Sequence, residues 1–223
     1  MCGRYATKSG ADIERVFNAK SDSPESLMKP RFNAAPTQLL PVIRGASMRE
    51  LAALRWGLVP SWAKDPSIGA KMINARGETV AEKPSFRAAF KRRRCLVPMA
   101  GFYEWKKTPT GKVPYYIQLM NAEQFAVAGL WEHWPGGGGV EPIESYTVIT
   151  TEANTMMRSL HDRMPVILPP ECWDAWLDPE YSDATDLQAM LVPYPSDEMR
   201  AYPVSTRVNS PRNEGEDLVQ PAE

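Results

Sequence analysis

A β-rich α+β domain is the fold class this sequence predicts, and three observations predict it. Short apolar or alternating runs of strand length recur along the whole chain of 223 residues. Between them fall 21 prolines, which break long helices and favour turns. The few stretches with helical spacing are brief and flank the strands, so short helices are expected at the margins. This length suits a single domain over residues 1–223 with a proper core, with a loose tail from about residue 210, where the sequence turns polar and proline-containing.

The elements follow in order. Ser9 with Asp12 is a helix start, and Ile13, Val16 and Phe17 at helical spacing carry the helix to Asn18. Ser21 to Arg31 reads as a loop that ends at Phe32-Asn33-Ala34-Ala35-Pro36. Leu39 to Ile43 is a strand that Pro41 pushes toward a sheet edge. Leu51 to Trp56 is the next strand, and Phe86 to Phe90 a short helix opened by Pro84 and Ser85. Met72 to Thr79 has no clear period. The basic run Lys91-Arg92-Arg93-Arg94 reads as a solvated helix end that adds diffuse attraction for an anionic partner. Cys95 to Met99 is buried strand, and Gly101 to Trp105 pairs with Tyr115 to Leu119 across a turn at Pro109-Thr110-Gly111. Phe125 to Trp131, Tyr146 to Thr150 and Met164 to Leu168 are further strands. Ala153 to Leu160, Glu171 to Leu177 and Thr185 to Leu191 favour helix.

Composition narrows the function classes. The 26 basic and 27 acidic side chains nearly cancel, so any anion-binding face must come from local clustering. No apolar run is long enough for a membrane helix and no secretion signal is evident, so a cytoplasmic location without a membrane partner is expected. Three widely spaced cysteines and two histidines suit neither a disulfide framework nor a zinc site, and no metal or other cofactor is expected.

Cys2 holds the most reactive position. If Met1 is trimmed, Cys2 carries a free α-amine and a thiol, with ordinary pKa values of about 7.7–8.0 and about 8.5. Such a pair can attack an acyl carbon, or it can condense with an aldehyde: the amine forms an imine and the thiol closes on it to give a thiazolidine.

Six stretches in order, Met1-Cys2-Gly3-Arg4, Asn33-Ala34-Ala35-Pro36, Trp56-Gly57 through Trp62, Ile73-Asn74-Ala75-Arg76, Gly101-Phe102-Tyr103-Glu104-Trp105 and His161-Asp162-Arg163-Met164-Pro165, resemble the SRAP family, the SOS-response-associated peptidase or abasic-site-shielding proteins. The resemblance implies a compact domain of mixed, mostly antiparallel strands, partly barrel-like. It also implies an expected monomer that binds single-stranded DNA, on the nucleoid when bound, and captures abasic sites through Cys2. By the same resemblance Glu104 is the acid/base for proton transfer, His161 assists sugar ring opening, and Asn74 holds Cys2 in place. Arg4, Arg76 and Arg163 clamp phosphates, Thr150 adds a phosphate contact, and Pro36 and Trp62 meet the neighbouring bases. Some members carry a second tryptophan where this sequence has Ala63. Two other classes are weighed beside this one. An N-terminal-nucleophile amidohydrolase or self-processing peptidase would use the same cysteine for acyl chemistry. A non-catalytic single-strand binder would use it for nothing.

Overall fold

The computed structural model describes residues 2–222 apart from Pro24, Ser26 and Leu27. Met1, and part of the expected Ser21–Arg31 loop, therefore lie outside the described residues. The strands are β1 Tyr5–Thr7, β2 Ala19–Lys20, β3 Arg31–Ala34, β4 Leu39–Arg44, β5 Arg49–Trp56, β6 Asn74–Arg76 and β7 Arg94–Met99. They continue with β8 Gly101–Thr108, β9 Gly111–Leu119, β10 Phe125–Trp134, β11 Ile143–Glu152, β12 Arg163–Pro165, β13 Ile167–Leu168 and β14 Met199–Pro203. Among the described residues four short α-helices flank them: α1 Gly10–Phe17, α2 Arg87–Arg92, α3 Trp173–Leu177 and α4 Ala184–Ala189. None is long and apolar enough to cross a membrane.

Two sheets divide the strands. One runs β14-β9-β8-β1-β3, all antiparallel. In the other, the path β11-β10-β7-β4-β5 closes on itself, because β5 pairs in parallel with β11 at Arg55↔Ser145 and Trp56↔Tyr146. The result is a small barrel that leaves no edge in the ring. The chain passes from barrel to open sheet where β7 runs through Ala100 into β8.

Alternation along the barrel strands builds two cores. Cys95, Val97 and Met99 of β7 point to a cluster with Leu40, Val42, Leu54, Trp56, Val127 and Tyr146, which Tyr5, Phe102 and Ile117 of the open sheet also enter. Leu96 between them faces the outer cluster of Ile13, Phe17, Phe90, Leu130 and Trp176, where the helices pack. The α1 start is capped as expected, with the Ser9 hydroxyl accepting from Asp12 N at 3.3 Å, and left-handed Asn18 ends the helix.

Three expectations are corrected. β4 is an interior strand despite Pro41; it meets β7 only at Ile43↔Leu96, so the missing N–H interrupts little of a ladder on that side. Ala153 to Leu160 does not form an α-helix. The Asn154 side chain accepts from Met157 N at 2.9 Å and donates to Tyr194 O at 2.7 Å, leaving a single 3-10 turn at Met157–Ser159. The tail is not loose. Leu218 is buried, Val204 bridges to Pro221, and the Glu214 carboxylate takes Arg31 Nε at 2.9 Å and Phe32 N at 2.8 Å.

Candidate functional site

Cys2 leads into β1 and is fully buried within the barrel-side cluster. Its place is fixed from several directions. Asn74, the first residue of β6, donates from Nδ2 to the Cys2 carbonyl at 2.8 Å. The Cys2 thiol accepts the Arg4 backbone N–H. Beneath lie Tyr5, Trp56 and Tyr146: the Tyr5 and Tyr146 hydroxyls meet at 2.7 Å, and Trp56 stacks on Tyr146 at 6.3 Å. Burial foremost, and then the negative charge of Glu104, push the thiol up to about 12. At neutral pH it is therefore a thiol rather than a thiolate.

Glu104 is on β8, opposite Tyr115 of β9, and is only 4% exposed. Tyr103 N, the residue before it, donates to Arg4 O at 3.0 Å, so the β1–β8 ladder carries the carboxylate to the Cys2 end. The alternation of the Phe-Tyr-Glu-Trp run thus turns Glu104 inward, where a strand carboxylate is ordinarily found outside. Asn74 Oδ1 is buried without a partner among the described residues. An acceptor held there is suited to an amine or hydroxyl group arriving at Cys2.

The second half of the site is organised by the end of β11. β6 pairs with β11 at Val148↔Asn74 and Thr150↔Arg76, and β12 pairs with it at Glu152↔Arg163. Asn74-Ala75-Arg76 and His161-Asp162-Arg163 therefore flank Thr150. His161 follows the 3-10 turn, its N–H bonded to Met157 O at 2.8 Å. Its Nδ1 accepts from Arg163 N at 3.0 Å and lies 2.7 Å from Asp162 Oδ1. The first contact needs a bare Nδ1 and the second a protonated one, so Nδ1 has a partner in either tautomer of the ring.

The three candidate arginines differ in their freedom. Arg76 is exposed and forms no ion pair or hydrogen bond among the described residues. Arg163 is bidentate to Glu78, at 2.5 and 2.9 Å, and its Nη2 also donates to Thr150 O at 2.6 Å. Arg4 uses Nη1 on Asn33 Oδ1 at 2.7 Å and on Val208 O at 2.8 Å. Thr150 is fully buried and its oxygens accept from Arg163 Nη2, so it positions that arginine.

The apolar candidates lie at the rim. Trp62 is 59% exposed, in the segment that leaves β5. Gly57 begins that segment at φ +123, where an added Cβ would meet Gly69 O at 2.6 Å. Ala63 is buried and its carbonyl accepts Trp134 Nε1 at 2.7 Å, so this position offers no second ring. Pro36 is half-buried in a turn where Thr37 adopts φ 73, and Thr37 N bonds to Trp56 O at 2.8 Å. Asn33, Glu78 and the tail around Val208 were not assigned a role from the sequence. Asn33 belongs to the Asn33-Ala34-Ala35-Pro36 motif, but its partners in the tail, Val208, Ser210 and Asn213, are more than a hundred residues away.

A fold with Cys2 at the mouth of a small β-barrel, and this order of motifs, defines one class. The family model described as "SOS response associated peptidase (SRAP)" matches residues 1–211, and the chain belongs to that family. It is 47% identical over 223 residues to the "Abasic site processing protein YoqW" of Bacillus subtilis, covering 99% of each chain. It is 33% identical to the "Abasic site processing protein HMCES" of Xenopus tropicalis, covering 96% of this chain and 76% of that one. A crystal structure of a protein from Bacteroides thetaiotaomicron superposes with a TM-score of 0.91 at 28% identity over the whole of both chains.

Proposed function

We propose that this protein processes abasic sites in DNA by capturing them covalently on Cys2, in single-stranded DNA and after removal of Met1. The observation that carries the proposal is the enclosure of Cys2, with its carbonyl held by Asn74 at 2.8 Å and its thiol within the field of Glu104. The printed names of the relatives at 47% and 33% identity support the same reading.

The ring-opened abasic sugar presents an aldehyde at C1′. The α-amine of Cys2 attacks it to give a carbinolamine, which loses water to form an imine. The thiol sulfur then bonds to C1′ and its proton passes to nitrogen, closing the thiazolidine. The net change is aldehyde plus aminothiol to thiazolidine and one water. Because burial holds the thiol protonated, the amine acts first and the thiol second. Each step moves a proton, and Glu104 is the group placed to shuttle it. Asn74 holds the Cys2 backbone against rotation, and its free Oδ1 accepts from the reacting amine. His161 assists ring opening of the sugar. Arg4, Arg76 and Arg163 take flanking phosphates, while Pro36 and Trp62 pack against adjacent bases.

The test is a denaturing gel of the protein incubated with an oligonucleotide containing one abasic site. A denaturation-resistant adduct is expected from the wild type. Cys2→Ala is expected to abolish it while binding the intact oligonucleotide with ordinary affinity. An adduct that persists in Cys2→Ala would overturn the proposal.

A further inference from the structure

Asn33 is fully buried and every polar group of its side chain is occupied by distant chain. Its Nδ2 reaches Val208 O at 3.3 Å, Ser210 O at 2.9 Å and Asn213 O at 2.9 Å. Its Oδ1 accepts Arg4 Nη1 at 2.7 Å, and that same nitrogen donates to Val208 O at 2.8 Å. The C-terminal strap, residues 206–219, is fastened again on both flanks. Trp105 Nε1 donates to Asn209 Oδ1 at 2.7 Å, and Glu214 clasps Arg31 and Phe32. The Arg4 guanidinium lies 5.9 Å from the Trp105 ring.

These bonds use one end of the Arg4 guanidinium and leave the other. Nη1 is committed to Asn33 and Val208, whereas among the described residues Nε is buried with no partner and Nη2 makes no hydrogen bond. Nε and Nη2 form the edge of the fork that takes a carboxylate or phosphate side-on through two parallel bonds. A buried donor on that edge without a partner among the described residues leaves the edge open to an acceptor. Arg4 is two residues from Cys2, and its backbone N–H bonds to the Cys2 thiol.

We infer that Asn33 is a positioning residue, the hub through which the C-terminal strap fixes the Arg4 guanidinium with its Nε–Nη2 edge turned to a DNA phosphate beside Cys2. This rests on the proposed reading that the Cys2 face binds DNA. Without the hub, Arg4 has a long side chain with many rotamers, and its ordering would have to be completed on binding. The strap thus reaches the reaction through Arg4 and not through any contact of its own with substrate.

The experiment is a double-mutant cycle on equilibrium binding of an undamaged single-stranded oligonucleotide, measured across a salt series. Undamaged DNA forms no adduct, so the readout is independent of Cys2 chemistry. Arg4→Ala is expected to weaken binding about three- to ten-fold and to lower the salt slope by about 0.7, the loss of one phosphate contact. Asn33→Ala is expected to reproduce most of both changes, and the double variant to be no weaker than Arg4→Ala alone. A residue needed only for folding would lower the melting temperature and leave the salt slope of the folded protein intact; that result overturns the inference. So does additivity in the double variant. If Arg4→Ala itself leaves the slope unchanged, the DNA reading of this face falls and the inference with it. Should Asn33→Ala not fold, Glu214→Ala loosens the strap from its partly exposed end. A smaller loss of slope is then expected, and an unchanged slope overturns the inference.

Discussion

The run Lys91 to Arg94 and the scattered trio Arg4, Arg76 and Arg163 are two basic groups of this protein, and they are built in opposite ways. In the run, Arg94 is buried and gives its guanidinium to backbone carbonyls: Trp176 at 2.6 Å, Phe90 at 2.8 Å, Lys91 at 2.6 Å, Tyr181 at 2.8 Å, and Asp178. Arg93 is paired with Glu132 at 2.7 Å. The expected solvated helix end is thus half structural, and only Lys91 and Arg92 face water. The trio lies far apart in sequence yet converges on the Cys2 side, with Arg76 unpaired and one edge of Arg4 without a partner among the described residues. Density of charge along the chain is therefore a poor guide to an anion site; what counts is whether the fold supplies each guanidinium with acceptors of its own.

That contrast can be broken most forcefully at Arg94. Replacing it with Met leaves five carbonyls without their donor. We expect a loss of about 3–5 kcal/mol of stability, read by denaturant unfolding, with unchanged DNA affinity in the folded protein. Arg94→Lys should restore little, since an ammonium has three donors and no planar fork. A mild effect of both would mean that Arg94 is not the staple described. Arg76→Ala is the converse case. Binding of single-stranded DNA should weaken about three- to ten-fold with a shallower salt dependence, while stability stays within about 0.5 kcal/mol. The smallest effect belongs to Arg92→Ala, which should change affinity less than about two-fold. Equal losses from Arg92→Ala and Arg76→Ala would erase the distinction between the two places.

Much of the barrel was legible in the sequence because its strands carry local signals. Leu39–Ile43, Leu51–Trp56 and Cys95–Met99 alternate or run apolar between turn residues, and each is a strand of the ring; the hairpin around Pro109-Thr110-Gly111 was equally legible in the open sheet. The short strands β1, β3, β6 and β14 were not all readable, since three to five residues are too few for a period and their pairing is set by neighbours. Asn74 is such a case: Met72 to Thr79 has no pattern, and only the parallel ladder with β11 places its amide on Cys2. The tail misled for a related reason. Its composition is that of a loose end, but Asn33, Arg31 and Trp105 offer it partners that no local window contains. At the site, the candidate reactive residues stood out by motif, whereas Glu78 and Asn33 restrain arginines across tertiary contacts that no local window contains, although Asn33 itself lies in a motif.

The central claim is that Cys2 bonds to an abasic aldehyde through both its amine and its thiol. Intact mass of the purified protein, alone and after incubation with an abasic oligonucleotide, tests it most directly. The account predicts a protein mass lacking Met1 and a new species at the sum of protein and oligonucleotide minus one water, absent in Cys2→Ala. A protein without Met1 that forms no such species, or a Cys2→Ala variant that forms it equally well, would contradict the account.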